Sequence, residues 1–292
     1  MFADIRDTRI FFDVDGMAVV VEGGCTIERK TAILVHGGPG TDHAGMKGAH
    51  KGLEARMQLV FFDQRGHGRS AVGNPTRYTL DEAVEDLEAL RRHLGLDRIV
   101  SLGVSYGGMV AMAHAARYPD SVSHLILVAT ASHKGLLERA VQIVAERGTQ
   151  AQMAMMEDLL GGRLDTREKV LAYFTTMGPL YGRTFDEAAF SKAIGRTQLN
   201  VEIARKAFGP GGHTQTFDLR PELPNIEAET LILAGRHDFI CAPEFSVEMH
   251  GLIKRSTLKI FEESAHYIPA DEPQKYIDAI AGFMVYNERS AS

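Results

Sequence analysis

The sequence predicts an α/β fold with a mainly parallel central sheet, helices on both faces and an inserted helical lid. Three observations predict it. Short apolar runs without polar alternation, such as Thr31–Val35 and Leu59–Phe62, are the pattern of strands buried on both faces of a parallel sheet. Helix-compatible stretches separate these runs, and strands joined through helices need crossover connections, which make neighbouring strands parallel. From about Lys134 to Phe217 the pattern changes to successive helical stretches with no convincing strand. The core is therefore expected over 1–132 and 222–292, with the lid inserted over 133–221.

The elements follow in order. Arg9–Asp13 and Met17–Glu22 read as strands on either side of Asp15-Gly16, a hairpin signal that predicts an antiparallel edge. Thr31–Val35 is the first buried strand and stops at His36-Gly37-Gly38-Pro39-Gly40. A helix is expected from about Ala44 to Arg56, then the strand Leu59–Phe62, closed by Asp63-Gln64-Arg65-Gly66-His67-Gly68-Arg69-Ser70. Thr79 and Glu82 have the spacing of a capping box, each side chain placed to satisfy an end amide of a helix over Leu80–Leu94, which Gly95 would stop. Arg98–Leu102 is the next strand, Tyr106–Tyr118 a helix ending before Pro119, and His124–Val128 another strand. Strands resume at Thr230–Ala234 and Thr257–Phe261, each followed by a helix-compatible segment. Met153, Met155, Met156 and Met177 fall in the lid, where flexible side chains are expected to fill its core.

Composition excludes several classes. A chain of 292 residues, 45% hydrophobic and 24% charged, with 29 glycines and 10 prolines, is long enough for a sizeable core and is not disordered, collagenous or coiled-coil. The 32 basic and 38 acidic residues leave a net charge of -6 with no long like-charge run, so nucleic acid is not an expected partner. No apolar run approaches the roughly 20 residues that span a bilayer. Met1–Asp7 alternates acid and base where a secretory signal would carry an apolar run. A cytoplasmic protein without a membrane partner is expected. Cys25 and Cys241 have neither CxxC spacing nor the density of a disulfide scaffold, which predicts two buried thiols.

Chemistry concentrates where strands end, the place at which ligands bind in parallel sheets. Gly103-Val104-Ser105-Tyr106-Gly107 sits between a buried strand and a helix. Small residues on each side of the serine let the chain turn sharply and lift its hydroxyl above the sheet, at the positive end of the helix. The pattern alone arises by chance in roughly one chain in ten of this length, so its weight comes from that strand-to-helix position. A serine needs a base within reach and a carboxylate to orient the base. Asp238 and His266 both lie just past strands, and their order after Ser105 is the one required of this motif. His237 is the rival base by sequence, and Ala129–Ser132 offers no rival carboxylate. Attack on a carbonyl creates an oxyanion that needs preorganised backbone donors. The amides of Tyr106, after the serine, and of Gly38, whose missing side chain admits close approach, are the candidates; a plain turn would use the same glycines and proline. Asp63–Gly68 is expected to organise loops through its own hydrogen bonds.

Taken together, His36–Gly40, Asp63–Ser70, Gly103–Gly108, Gly235-Arg236-His237-Asp238 and Ser264-Ala265-His266 resemble the motifs of an α/β-hydrolase of the proline iminopeptidase-like group, over about 30–285. The resemblance implies the α/β-hydrolase fold and an enzyme that releases an amino-terminal residue, often proline, from a small or short peptide substrate. It also implies glutamates that hold the free ammonium, one directly after the triad aspartate and one in an Asn-Gly-Pro-x-Glu stretch. Phe239 and Phe208-Gly209-Pro210-Gly211-Gly212-His213 stand at those positions. An ammonium entering a dry pocket without a counter-charge costs several kcal/mol. Among lid acids, Asp186, Glu187 and Glu202 are the candidate substitutes, each with a solvated helix face as the ordinary alternative. Phe239 is expected to face the substrate. The sequence thus predicts a serine hydrolase that cleaves a small amide or amino-terminal peptide bond through an acyl-enzyme, with no cofactor and no metal. An esterase or lactonase on an apolar acyl group is the alternative, followed by a C–C bond hydrolase and a non-catalytic small-molecule receptor.

Overall fold

In a computed structural model that describes residues 1–290, the buried runs become the centre of an eight-stranded sheet. In chain order the ten strands are β1 (Phe2–Ile5), β2 (Thr8–Asp15), β3 (Val19–Glu22), β4 (Cys25–Glu28), β5 (Thr31–Val35), β6 (Gln58–Phe62), β7 (Ile99–Val104), β8 (Val122–Val128), β9 (Glu229–Gly235) and β10 (Ser256–Phe261). The large sheet has the order β1-β2-β6-β5-β7-β8-β9-β10. Its first two strands are antiparallel and the rest run parallel. All five residues of β5 are buried, as a strand covered on both faces requires.

Helices cover the sheet: α1 (Ala44–Ala49), α2 (Leu80–His93), α3 (Tyr106–Arg117), α9 (Pro243–Leu252), α10 (Ile268–Asp271) and α11 (Pro273–Ser290). Between β8 and β9 lie α4 (Gly135–Arg147), α5 (Gln150–Leu160), α6 (Arg167–Tyr181), α7 (Glu187–Ile194) and α8 (Val201–Phe208), with no named strand among them. The two ends of this helical segment meet: His133 bridges Asp218, the Lys134 amide donates to Phe217 O at 3.0 Å, and the Leu219 amide to Ser132 O at 2.8 Å. Met156 and Met177 are fully buried inside it, and Met153 and Met155 pack against the same core.

Four expectations need correction. Asp15-Gly16 does not join a hairpin. β2 pairs with β1 and β6, whereas β3 pairs with β4 in a separate two-stranded sheet. The turn at Gly16 instead brings the backbone against Glu54 and Met57, whose carbonyls would lie 2.9 Å from a Cβ at that position. The helix expected over 44–56 is two pieces, α1 and a 3-10 turn at Leu53–Ala55, because Gly52 between them takes a φ of 104°. The Thr79 hydroxyl accepts from the Glu82 amide at 3.2 Å, but the Glu82 carboxylate turns to Arg77, at 2.7 and 2.9 Å, so only half of the capping box forms. Cys241 is buried, but Cys25 is exposed: β4 projects in the small sheet and all four of its residues face solvent. No described helix is long and apolar enough to cross a membrane.

Candidate functional site

Ser105 occupies the sharp turn between β7 and α3, with φ 54° and ψ -121°. A non-glycine residue there is strained. Packing holds it: a Cβ on Gly103 would lie 2.3 Å from Gly107 O, and one on Gly107 would lie 2.0 Å from Val35 O. Only glycines let α3 settle this close onto the end of β5. As the first residue of α3, Tyr106 has an amide with no intrahelical acceptor.

The loop after β5 closes over the same end. A Cβ on Gly37 would sit 3.2 Å from the Ser105 Cβ, so this loop runs directly beside the serine. Gly38, with φ 123°, and Tyr106 both line the cavity above Ser105. The loop is fixed from beneath. Gln64 donates through its amide to His36 Nε2 at 3.1 Å and through Nε2 to His36 O at 2.9 Å, and His36 Nδ1 lies 2.7 Å from Gly37 O. Asp63 accepts from the His43 amide and the Arg69 amide at 3.0 and 2.8 Å. Arg65 grips buried Asp86 with two bonds of 2.7 Å. The segment from Asp63 therefore organises loops, as its sequence predicts.

Asp238 follows β9 and His266 follows β10. His266 Nδ1 lies 2.7 Å from Asp238 Oδ2, both residues are buried, and Asp238 Oδ1 accepts from the Ile240 and Cys241 amides at 2.9 Å each. With Nδ1 donating to the carboxylate, His266 Nε2 is left as an acceptor. The Tyr181 ring packs edge-on against the His266 ring at 5.4 Å, a packing partner that sequence reasoning did not identify because α6 is remote in the chain. Ser105 and His266 line one cavity of about 450 Å³. His237, the rival base, is not among the residues that line this cavity; its backbone amide donates to Ser264 O and its carbonyl accepts from Arg147 at 2.7 Å. Among the described residues, one group of potential metal-ligating atoms lies within 4.8 Å: Asp238, Cys241 and His266. Two of the three are already bonded to one another. Burial pushes the Cys241 thiol well above its ordinary pKa, with Asp238 adding to the shift.

Phe239 does not face the cavity. It is fully buried with its ring edge-on to Tyr181 at 4.9 Å. The two amides that bond Asp238 Oδ1 wrap the chain so that Ile240 and Cys241, rather than Phe239, line the wall. The acids of the helical segment are not among the lining residues: Asp186 caps α7 through the Ala188 and Ala189 amides, Glu202 lies 3.4 Å from Lys206, and Glu187 is exposed. His213 packs on the Tyr106 ring at 5.3 Å, and burial pushes its imidazole down to about 4; the cavity touches Phe208 and Thr214 on either side of it.

The comparisons with known proteins agree with this fold. Residues 31–273 match the family model of the alpha/beta hydrolase fold. Over 276 residues the chain is 30% identical to a proline iminopeptidase from Clostridium botulinum, covering 92% of this chain and 94% of that protein. It is 29% identical over 276 residues, with the same coverage, to one from Clostridioides difficile. The solved structure of a proline iminopeptidase from Mycobacterium smegmatis superposes with a TM-score of 0.81 at 19% identity, over 100% of this chain and 99% of that one. The strand order, the elbow at Ser105 and these matches converge: the chain belongs to the α/β-hydrolase fold family and is a hydrolase of its proline iminopeptidase-like group.

Proposed function

We propose that this hydrolase cleaves a small amide bond through an acyl-enzyme on Ser105. The observation that carries the reading is the buried His266–Asp238 pair at 2.7 Å, whose His266 lines the same cavity as the strained Ser105. His266 Nε2 takes the hydroxyl proton as Ser105 Oγ attacks the substrate carbonyl, and the Asp238 carboxylate steadies the imidazolium. The Gly38 and Tyr106 amides meet the oxyanion. Collapse of the tetrahedral intermediate passes the proton from His266 to the leaving amine; water then attacks the acyl-enzyme with His266 again as base. The helices of 133–221 act as the lid over this chemistry, in a protein of the cytoplasm.

The relatives' names support the peptidase form of this activity, release of an amino-terminal residue. A second reading, an esterase or lactonase, is favoured by the largely aliphatic and aromatic cavity wall, including Met109, Leu159 and Ile240. Hydrolysis of proline and alanine p-nitroanilides, set beside short-chain p-nitrophenyl esters, separates the two. In each case Ser105→Ala is expected to cut kcat/KM by at least about 10³-fold with the fold intact. Turnover that survives Ser105→Ala would refute the serine mechanism.

A further inference from the structure

Building on the serine-hydrolase reading but departing from its amino-terminal peptidase form, we infer that the acyl group delivered to Ser105 is uncharged and carries an oxygen acceptor, a carbonyl or ether, held by the hydroxyl pair of Tyr173 and Tyr181. The absence of charge is argued from the cavity wall. Among the described residues its lining contains one carboxylate, Asp42, and no lysine or arginine. Asp42 is spoken for: Oδ1 accepts from the Ala44 amide at 3.0 Å, Oδ2 accepts from the Gln198 amide at 3.0 Å and lies 3.5 Å from Arg69, and the side chain has no exposure. The lining histidines His36 and His50 are held below the ordinary histidine range by burial, and each has both ring nitrogens engaged. A free ammonium on the acyl group would enter this wall without a counter-charge, at a cost the rest of its binding must meet. A cavity of about 450 Å³ is also within the range of drug-sized ligands, well beyond one small residue.

The oxygen is argued from donor arithmetic. Tyr173 and Tyr181 stand two turns apart on α6, lean toward each other and meet at 3.1 Å between hydroxyl oxygens. Both line the cavity and both are buried. Among the described residues neither hydroxyl makes another hydrogen bond. Two O–H donors sharing one mutual bond leave one proton without an acceptor. Burial pushes the Tyr173 hydroxyl up to about 12 and that of Tyr181 well above its ordinary value, so both remain donors. Tyr181 also packs against the His266 ring at 5.4 Å, which puts the pair beside the reacting centre rather than at the far end of the cavity. A spare donor in an apolar wall selects a substrate that brings an acceptor and discriminates against the analogue without one.

The test uses p-nitrophenyl pentanoate, hexanoate and heptanoate, their 4-oxo, 5-oxo and 6-oxo counterparts, and a pentanoate bearing an α-ammonium group. Wild type, Tyr173→Phe, Tyr181→Phe and the double variant are compared by the ratio of kcat/KM for each oxo ester to its parent, so that any shared effect on His266 cancels. The wild-type ratio is expected to reach about tenfold for at least one chain length and to fall to near one in the double variant. A ratio near one throughout in the wild type, or a ratio that persists in the double variant, overturns the tyrosine assignment. Faster Ser105-dependent cleavage of the ammonium ester than of pentanoate overturns the uncharged acyl group while leaving the serine mechanism standing. Esterolysis unaffected by Ser105→Ala would instead mean that the serine mechanism itself had failed.

Discussion

Ser105 concentrates a conflict between stability and chemistry. Its φ of 54° with ψ of -121° is a conformation that glycine adopts freely and serine does not. Strain of this kind costs of order 1–3 kcal/mol, and the surrounding glycines hold it in place. Ser105→Gly is therefore expected to abolish turnover yet raise unfolding stability by about 1 kcal/mol, the relief exceeding the added entropy of glycine in the unfolded chain. Urea unfolding checks this, and a destabilised Ser105→Gly would show that the turn is unstrained. The same scale shows what a sequence can and cannot display. The places of Ser105, Asp238 and His266 just past β7, β9 and β10 were legible because the strand ends themselves can be read from the sequence. Phe239 was misread because its direction depends on which amides bond to Asp238 Oδ1, and neither composition nor spacing encodes that. Tyr181 was missed for a related reason: its contact with His266 joins parts of the chain that no local pattern links.

At the scale of elements, legibility followed burial. β5, β6, β7, β8 and β9 appeared in the sequence within a few residues of their observed limits, because strands covered on both faces must be apolar throughout, and β10 appeared too, although as the edge strand it alternates half-buried and exposed residues. The small sheet of β3 and β4 did not appear as such. Val20 is its one buried apolar residue, while Val19, Val21 and Ile27 are exposed, so no alternation announces its pairing. The α3 helix carries a separate constraint that the motif only hints at. A Cβ on Gly107 would lie 2.0 Å from Val35 O, and one on Gly108 2.6 Å from the Thr130 Cβ. Gly107→Ala must push α3 away from β5, into backbone that cannot yield as a side chain does. We expect a loss of at least about 3 kcal/mol, at or beyond the upper end for overpacking, read as a lowered urea midpoint. Because Val35 leads directly into His36–Gly38, whatever folded protein remains is expected to lose kcat more than KM with any ester it cleaves. Wild-type stability in Gly107→Ala would mean that the helix has more room than its packing indicates.

Over the whole molecule, several histidines are buried and neutral, and their titration sets how the fold responds to acid. His50 is the clearest case: Tyr276 Oη lies 2.8 Å from Nε2 and Met46 O lies 2.8 Å from Nδ1, joining α1 to α11. Burial pushes its pKa from 6.5 down to about 4; His67 is pushed to about 3 and His213 to about 4, also by burial. A folded pKa below the unfolded one means that, between those values, the unfolded chain binds a proton that the folded chain does not. Stability therefore rises with pH across that window: it is complete above about 6.5 and is lost as pH falls toward 4. For His50 alone the full span corresponds to up to about 3 kcal/mol. Asp63 shifts in the same direction. Burial raises its pKa, but bonding to His43 and Arg69 outweighs this and holds the carboxyl well below its ordinary range, so its contribution is lost only at more acidic pH. Unfolding free energies measured in urea at pH 7, 5.5 and 4.5 are expected to fall steadily. His50→Gln, which offers a donor and an acceptor but no titration, is expected to flatten that fall by up to one proton's worth of slope. An unchanged slope in His50→Gln would mean that the acid sensitivity resides elsewhere, since an imidazole buried between α1 and α11 must meet the desolvation cost of its charged form before it can titrate.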